Sequence, residues 1–266
     1  MSLKFCSLSS GSSGNCYLVG SDQTFLLIDA GISCKKIVDS LTYLNIAPEM
    51  LSGVLITHEH IDHIKGAELL SRKYGIPLFT NEKTGEEFLK LVKKTDQLSL
   101  NFFQNLRPFF LGDIEVLPYP VCHDAIDAVG FSLYCEKTQI SIATDTGCIT
   151  KHMIKELSAA DLLVLEANHD VDMLKMGKYP WFLKQRILGQ QGHLSNEDAG
   201  LAIARLFAYH PKQRQILLAH LSRENNFPEM ALETVKNVLE EHHVLLNSGL
   251  QLNLLRRDEL SPVYIL

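Results

Sequence analysis

Ten consecutive residues, Val54-Leu55-Ile56-Thr57-His58-Glu59-His60-Ile61-Asp62-His63, constrain this chain more than any other stretch. Val54 to Thr57 read as a short buried strand, because apolar and β-branched residues favour pleated, half-buried backbone. Three imidazoles and two carboxylates follow at once. They fall at the strand's C-terminal end, where α/β folds tend to seat ligands. His58 and His60 are two apart, so an extended segment points both to one side. Asp62 and His63 come as the chain turns toward a helix near Gly66. Two donor pairs on so short a turn suit two adjacent metal ions, one on His58 and His60 and the other on Asp62 and His63. The plainer alternative, a polar loop with scattered histidines, does not account for this density and order.

The rest of the chain has material for a sizeable core: 266 residues, 46 % of them hydrophobic. No linker, composition shift or internal repeat divides it, so residues 1–266 are expected to form a single domain. A formal net charge of −6 excludes the global basic field of many nucleic-acid binders, although bound cations would make the site itself locally positive. The six cysteines include no CxxC pair and read as free thiols in a reducing compartment. The N-terminus lacks a basic segment followed by a long apolar one, and no apolar run reaches about 18 residues. The expectation is a soluble, cytoplasmic protein with no membrane insertion, and self-association is left open.

Further polar residues recur at the ends of apolar segments. Leu3–Leu8 and Cys16–Val19 read as strands around a Gly/Ser loop, Ser9–Asn15. That loop is either a hairpin connection or a set of donors, Ser12 and Asn15 among them, facing an anion. Phe25–Ile28 is a strand ending in Asp29. Ser33–Leu44 carries Ile37, Leu41 and Leu44 at helical spacing. Gly66–Tyr74 and Glu82–Lys94 read as helices around a Pro77–Thr80 strand, with two or three short strands between Asn101 and Tyr119. This alternation fits one αβ layer. Val129–Tyr134 and Gln139–Thr144 form a hairpin-like pair that runs into Asp145. Leu162–Leu165 runs into Glu166 and His169. Lys175–Arg186, with Trp181, Lys184 and Arg186, is the one basic and aromatic stretch. It suits phosphate contact and base stacking, or is a helix with a solvated basic face. His193 precedes a helix start marked by Ser195 and Asp198, beside a natural anion site. Gln215–Ala219 is a strand closed by His220, after which Arg223, Asn225 and Asn226 could clamp a phosphate or base. Another helix, marked by Ala231, Val235 and Val238, and two short strands finish the chain. His152, His210, His242 and His243 sit in ordinary surface contexts.

His58-Glu59-His60-Ile61-Asp62-His63 resembles the HxHxDH signature of the metallo-β-lactamase fold superfamily. The resemblance implies an α/β fold: a four-layer αββα sandwich of two mixed sheets with helices outside. It also implies roles, residue by residue. Asp29 matches the first motif, which usually orients ligating histidines from behind; a turn or cap aspartate is the plainer reading. His123 matches the third and would complete the first metal's imidazoles, with Asp124 and Asp127 as solvated loop acids and Cys122 as packing. Asp145 matches the fourth, a carboxylate shared by both metals, against a cap for the helix near Thr150. His220 matches the fifth, a ligand of the second metal, with His193 its one rival. Glu166 and His169 would stand behind the ligands, or be ordinary loop polarity. His193 lies in a Gly-His-Leu-Ser-Asn segment similar to one in related phosphodiesterases, where it contacts the scissile phosphate; here it would also serve as proton donor.

The donor set of nitrogens and oxygens suits Zn²⁺ or Mn²⁺, and the imidazole count favours zinc over magnesium. Water between two divalent ions is acidified toward hydroxide near neutral pH and becomes an in-line nucleophile, which puts Asp62 among the catalytic residues beside His193. Antibiotic-hydrolysing members usually lack a carboxylate equivalent to Asp62 and often carry Cys in place of Asp145. Thioester hydrolases and phosphodiesterases keep both, as this chain does. Ser-Ser-Gly-Ser-Ser-Gly-Asn, Gly-His-Leu-Ser-Asn and His-Leu-Ser-Arg-Glu-Asn-Asn, with Tyr179-Pro180 and Arg186-Ile187-Leu188-Gly189, make nearly the whole chain similar to the WalJ/YycJ/VicX subgroup. That resemblance implies a metal-dependent DNA exonuclease acting from the 5′ end. The interval from Asp145 to His220 is too short for a β-CASP insertion, and no long transfer-RNA-processing arm is evident. Two rivals stand: a hydrolase of a small thioester, lactone or cyclic nucleotide, and a metal-binding regulatory protein with little turnover. Cleavage of a generic phosphodiester without DNA cleavage would mark the first. Full biological effect in a His58→Ala variant would mark the second.

Overall fold

Short apolar segments bounded by Gly, Ser, Asn and Asp build two sheets. The computed structural model describes residues 2–244, 246 and 249–266. The first half supplies β1 (Lys4–Ser9), β2 (Cys16–Gly20), β3 (Phe25–Ile28), β4 (Leu51–Leu55), β5 (Leu78–Asn81) and β6 (Leu100–Phe103). Between them lie α1 (Cys34–Tyr43), α2 (Ile61–Ile64), α3 (Ala67–Tyr74) and α4 (Glu82–Leu91). The second half supplies β7 (Phe109–Leu111), β8 (Ile114–Pro120), β9 (Val129–Cys135), β10 (Thr138–Ala143), β11 (Leu162–Glu166), β12 (Arg214–Ala219) and β13 (Leu250–Leu254). Its helices are α5 (Lys151–Leu157), α6 (Val171–Met176), α7 (Trp181–Leu188), α8 (Asn196–Tyr209) and α9 (Pro228–Glu241), and β14 (Tyr264–Ile265) ends the chain.

The strand orders are β14-β1-β2-β3-β4-β5-β6 and β13-β12-β11-β10-β9-β8-β7. Each sheet is antiparallel on one side and parallel on the other, the parallel runs being β3 to β6 and β10 to β13. Parallel strands all end at the same edge, so each run delivers its strand-end loops to one rim. Leu26, Leu55, Phe131 and Val164 pack between the sheets. Ile37, Leu41, Leu70 and Phe88 fill the space under the first layer of helices, and Met153, Ile203, Val235 and Leu239 the space under the second. The architecture is the αββα sandwich that the resemblance implies.

Side-chain caps set several helix starts: Ser33, Asn81, Thr150, Asp170 and Ser195 each accept a bond from the N–H three residues on. Four local expectations are corrected. α4 stops at Leu91 because Val92 turns extended, so Lys93 and Lys94 lie outside it. The strand before the histidines ends at Leu55, and the Thr57 N–H leaves the ladder to bond the Asp29 carboxylate at 2.9 Å. Asp62 and His63 already sit in a helical turn, α2, which His60 precedes as the N-cap residue. The segments after Asn101 do not extend one layer: β6 joins the first sheet, while β7 and β8 open the second. The two closing strands likewise separate, β13 to the second sheet and β14 to the first.

Phe131 is fully buried between the sheets and meets Phe103 edge to face at 5.6 Å. Phe131→Ala should lose about 3–5 kcal/mol of stability, the usual range for a buried Phe truncation. Urea unfolding measures it, and a loss under about 1 kcal/mol would show that the sheets close without this contact.

Candidate metal centre

Both parallel runs end in polar turns, and three residues there adopt left-handed backbone: Asp29 (φ 61°), Asp145 (φ 54°) and His220 (φ 56°). Asp and His tolerate this region better than bulky or β-branched residues. The conformation turns the chain abruptly at the end of β3, β10 and β12. The first-sheet side is then locked to α2. A Cβ on Gly31 would fall 1.6 Å from the Asp62 carbonyl oxygen, so only glycine permits this crossing. The Asn15 N–H donates to the same carbonyl at 2.8 Å, and the Ala30 N–H to that of His63 at 2.8 Å.

Two donor groups with no shared residue result, His58, His60 and His123, and beside them Asp62, His63, Asp145 and His220; a third, Asp145, Glu166, His193 and His220, overlaps the second, and the ligand atoms of each group lie within 4.8 Å of one another. Four of the five imidazoles are held from behind through Nδ1. That of His58 donates to Thr57 Oγ1 at 3.0 Å and that of His63 to Asp29 Oδ2 at 2.6 Å. That of His123 reaches the Gly192 carbonyl at 3.3 Å, and that of His220 reaches Glu166 Oε1 at 2.7 Å. Such partners fix each ring's orientation and turn Nε2 forward, where that of His63 also meets Asn15 Nδ2 at 3.1 Å. His60 presents Nδ1, 3.2 Å from His123 Nε2. The Asp145 carboxylate faces both groups, with Oδ2 3.2 Å from His63 Nε2 and Oδ1 3.8 Å from His123 Nε2. Among the described residues, His58 Nε2 and His220 Nε2 are buried without a hydrogen-bond partner, and the buried Asp145 Oδ2 faces only the His63 imidazole. Converging lone pairs of imidazole and carboxylate, left without donors, are what a divalent cation requires, so these residues fit one.

The two groups differ electrically. Burial, then the nearby His63, pushes His58 well below its usual range, and burial also lowers His123, so these imidazoles are neutral. Burial alone would lower His63, but Asp145, Asp29 and Asp62 outweigh it and hold the ring well above its usual range. Against the same burial, Asp145, Asp62 and Glu166 push His220 up to about 10. The carboxylate-rich side therefore favours positive charge, whether carried by protons or by a cation.

Asp29 and Glu166 accept from the imidazoles of His63 and His220. Glu166 is fully buried, and its Oε1 accepts from His220 and, at 2.8 Å, from His193 Nδ1. Its Oε2 accepts from the N–H groups of Thr146 and Leu194. A cleft of about 300 Å³ opens over the donors, lined also by Ser12, Tyr179, Leu183, Arg186, Ile187 and His193. Other expected contacts lie elsewhere. Asn15 is buried, spending Oδ1 on the Gly11 N–H and Tyr17 hydroxyl and Nδ2 near His63, so it braces the loop rather than facing an anion. Lys184 Nζ donates to the Lys175 and Gly177 carbonyls and closes α6. Arg186 pairs with Asp124, which is thus a tether and not a free loop acid. Asn225 is buried, and Arg223 lines a neighbouring cleft. His169 is buried, neither of its ring nitrogens has a hydrogen-bond partner among the described residues, and burial pushes it down to about 4.

Sequence reasoning missed Thr57, whose hydroxyl joins Asp29 to His58, because it read as a strand residue. It also missed Asn168, which donates to the His220 carbonyl at 3.0 Å. Ser10 and Tyr17 were passed over too. Their hydroxyls, 3.0 Å apart, link Asn15 to the His220 N–H.

The model of the metallo-beta-lactamase superfamily matches residues 10–172. The chain belongs to that superfamily. It is 42 % identical to the exodeoxyribonuclease YycJ of Bacillus anthracis, over 91 % of this chain and 90 % of the relative. It is 42 % identical to the exodeoxyribonuclease WalJ of Streptococcus pneumoniae serotype 2, over 90 % and 88 %. The crystal structure of the metallo-beta-lactamase fold protein YhfI from Bacillus subtilis superposes with a TM-score of 0.75 at 20 % identity, covering 98 % of this chain and 99 % of that one, which shows the shared fold. This superfamily member is a metal-dependent hydrolase. No helix among the described residues is long and apolar enough to cross a membrane.

Cation binding should expel protons from the carboxylate-rich side, because His63 and His220 must be neutral to offer Nε2. Zn²⁺ titrated into metal-free protein near neutral pH should release about one proton or more per chain. Calorimetry in two buffers of different ionisation enthalpy reads this number. A buffer-independent heat would contradict the charge assignment.

Proposed function

We propose that this chain is a two-cation phosphodiesterase that shortens DNA from the 5′ end. The observation that carries the reading is the pair of donor groups joined by Asp145, with Asp62 also present, opening on one cleft. The identity with relatives named exodeoxyribonucleases, over nearly the full length of both chains, supports the substrate.

In this reading His58, His60 and His123 would hold one cation and Asp62, His63 and His220 the other, with Asp145 within reach of both groups. Zn²⁺ and Mn²⁺ both suit nitrogen and oxygen donors. When bound, such cations neutralise charge on a phosphoryl group and make water at the site more acidic. The residues do the rest. Asp29 and Glu166, from opposite sheets, keep His63 and His220 aimed with Nε2 forward. His193 donates Nδ1–H to Glu166, and its other nitrogen has no hydrogen-bond partner among the described residues, so it is free to carry a proton to a departing alkoxide. Ser12 offers a hydroxyl to phosphate oxygens in the cleft. Arg186 offers a guanidinium there if it exchanges Asp124 for phosphate.

The test is duplex DNA labelled at the 5′ or the 3′ end, incubated with purified protein and Mn²⁺ or Zn²⁺. Mononucleotide release from the 5′-labelled end is expected. Asp145→Ala should lose cations and activity together, since both donor groups lose a ligand. His193→Ala should keep its cations and lose ~10²–10⁴ in rate, the scale of one acid–base group. Retained DNA with two cations bound would overturn the nuclease reading in favour of a small-molecule hydrolase. Loss of metal from the His193 variant would make that residue a ligand.

A further inference from the structure

We propose that a second cleft, beside the metal centre, is the track along which the remaining nucleic-acid strand lies, held through its phosphodiester backbone. The assignment rests on the nuclease reading and names the part of the surface that would distinguish a polymer from a small phosphodiester. The cleft is about 450 Å³ and is lined by Ser13, Leu221, Arg223, Arg256 and Arg257, with Glu229, Asp258 and Glu259 as its acids.

Three observations carry it. The first is continuity. Ser12 lines the metal cleft and Ser13 this one, while His220 and Ser222 line the metal cleft and Leu221 and Arg223 this one. The same two loops wall both, and the serine tip between them is exposed. The second is charge. Asp258 is already paired with Lys36 at 3.2 Å and Glu259 with Arg256 at 3.3 Å. Arg223 and Arg257 have no ion pair among the described residues, and neither has Glu229, so the free charge of the lining favours an anion. The one Arg or Lys lining the metal cleft, Arg186, is engaged instead on Asp124. The third is placement. The Arg257 stem packs on Gly11, where a Cβ would meet its Cγ at 2.3 Å, and its carbonyl accepts from the Ser9 hydroxyl. The Gly/Ser loop therefore seats the Arg257 stem in the second cleft, beside the loop whose Ser12 lines the metal cleft. An arginine fixed by its stem loses less side-chain freedom when it takes a phosphate.

Arg223→Glu and Arg257→Gln test the assignment. Arg223 is exposed, so its substitution leaves the fold alone. The readout is kcat/KM on a labelled oligodeoxynucleotide divided by kcat/KM on bis(p-nitrophenyl) phosphate, with the same cation. The ratio should fall by at least about tenfold in each variant, the scale of one lost charge-assisted hydrogen bond. The slope of log Kd against log salt for the oligonucleotide should become shallower by roughly 0.7 per lost single-strand phosphate contact. A ratio and slope equal to those of the unmodified protein overturn the track while leaving the nuclease reading intact. A loss shared equally by both substrates also overturns it. If the unmodified protein cleaves bis(p-nitrophenyl) phosphate but neither binds nor degrades the oligonucleotide, the nuclease reading fails and the track with it.

Discussion

Asp145 carries the constraint from which the rest of the site follows. It is 3 % exposed at the end of a parallel strand, and its Oδ2 has no backbone or hydroxyl donor among the described residues, only the His63 imidazole at 3.2 Å. A buried carboxylate oxygen without donors is expensive unless a cation stands in for them. Asp29 and Glu166 are as deeply buried, yet their oxygens are satisfied by Thr57, by the N–H groups of Thr146 and Leu194, and by imidazoles. The contrast sorts the acids. Two are finished by the protein and hold other residues still, while Asp145 is left for something the chain does not supply.

The fold makes that arrangement affordable. Left-handed backbone at Asp29, Asp145 and His220 costs on the order of 1 kcal/mol or more at each residue. The inter-sheet core and the hydrogen bonds behind each ligand hold these turns in place. His63 comes from the first sheet's rim and His220 from the second's, and their rings are 5.9 Å apart. Ser10, Tyr17 and Asn15 tie the same two rims through buried polar contacts. Sliding one sheet against the other would separate the donors, so packing far from the cleft and chemistry within it are one problem.

How much was legible in the sequence depended on distance along the chain. His58 to His63 announced themselves because their spacing is local and one turn presents them all. His123, Asp145 and His220 sit at the ends of different strands, and only topology joins them, so residue patterns alone could not pair them with the first cluster; the superfamily resemblance did. Asn15 and Ser12 look alike in a polar loop. Burial separates them, and burial depends on partners such as Tyr17 that local sequence does not name. Lys184, Arg186 and Asn225 also looked alike as open polar residues, but Lys184 and Arg186 each find an internal partner and Asn225 is covered. The closing strands were visible as strands, but their division between two sheets depends on pairing partners more than 200 residues away in one case, β14 with β1, and on the parallel neighbour β12 in the other.

The central claim is that the rim holds two cation pockets sharing one carboxylate. Anomalous diffraction from crystals soaked in Zn²⁺ or Mn²⁺ tests it most directly. Two peaks are predicted, one among His58, His60 and His123 and one among Asp62, His63 and His220, both in contact with Asp145. A single peak, or two peaks of which either lies out of reach of Asp145, would contradict the account.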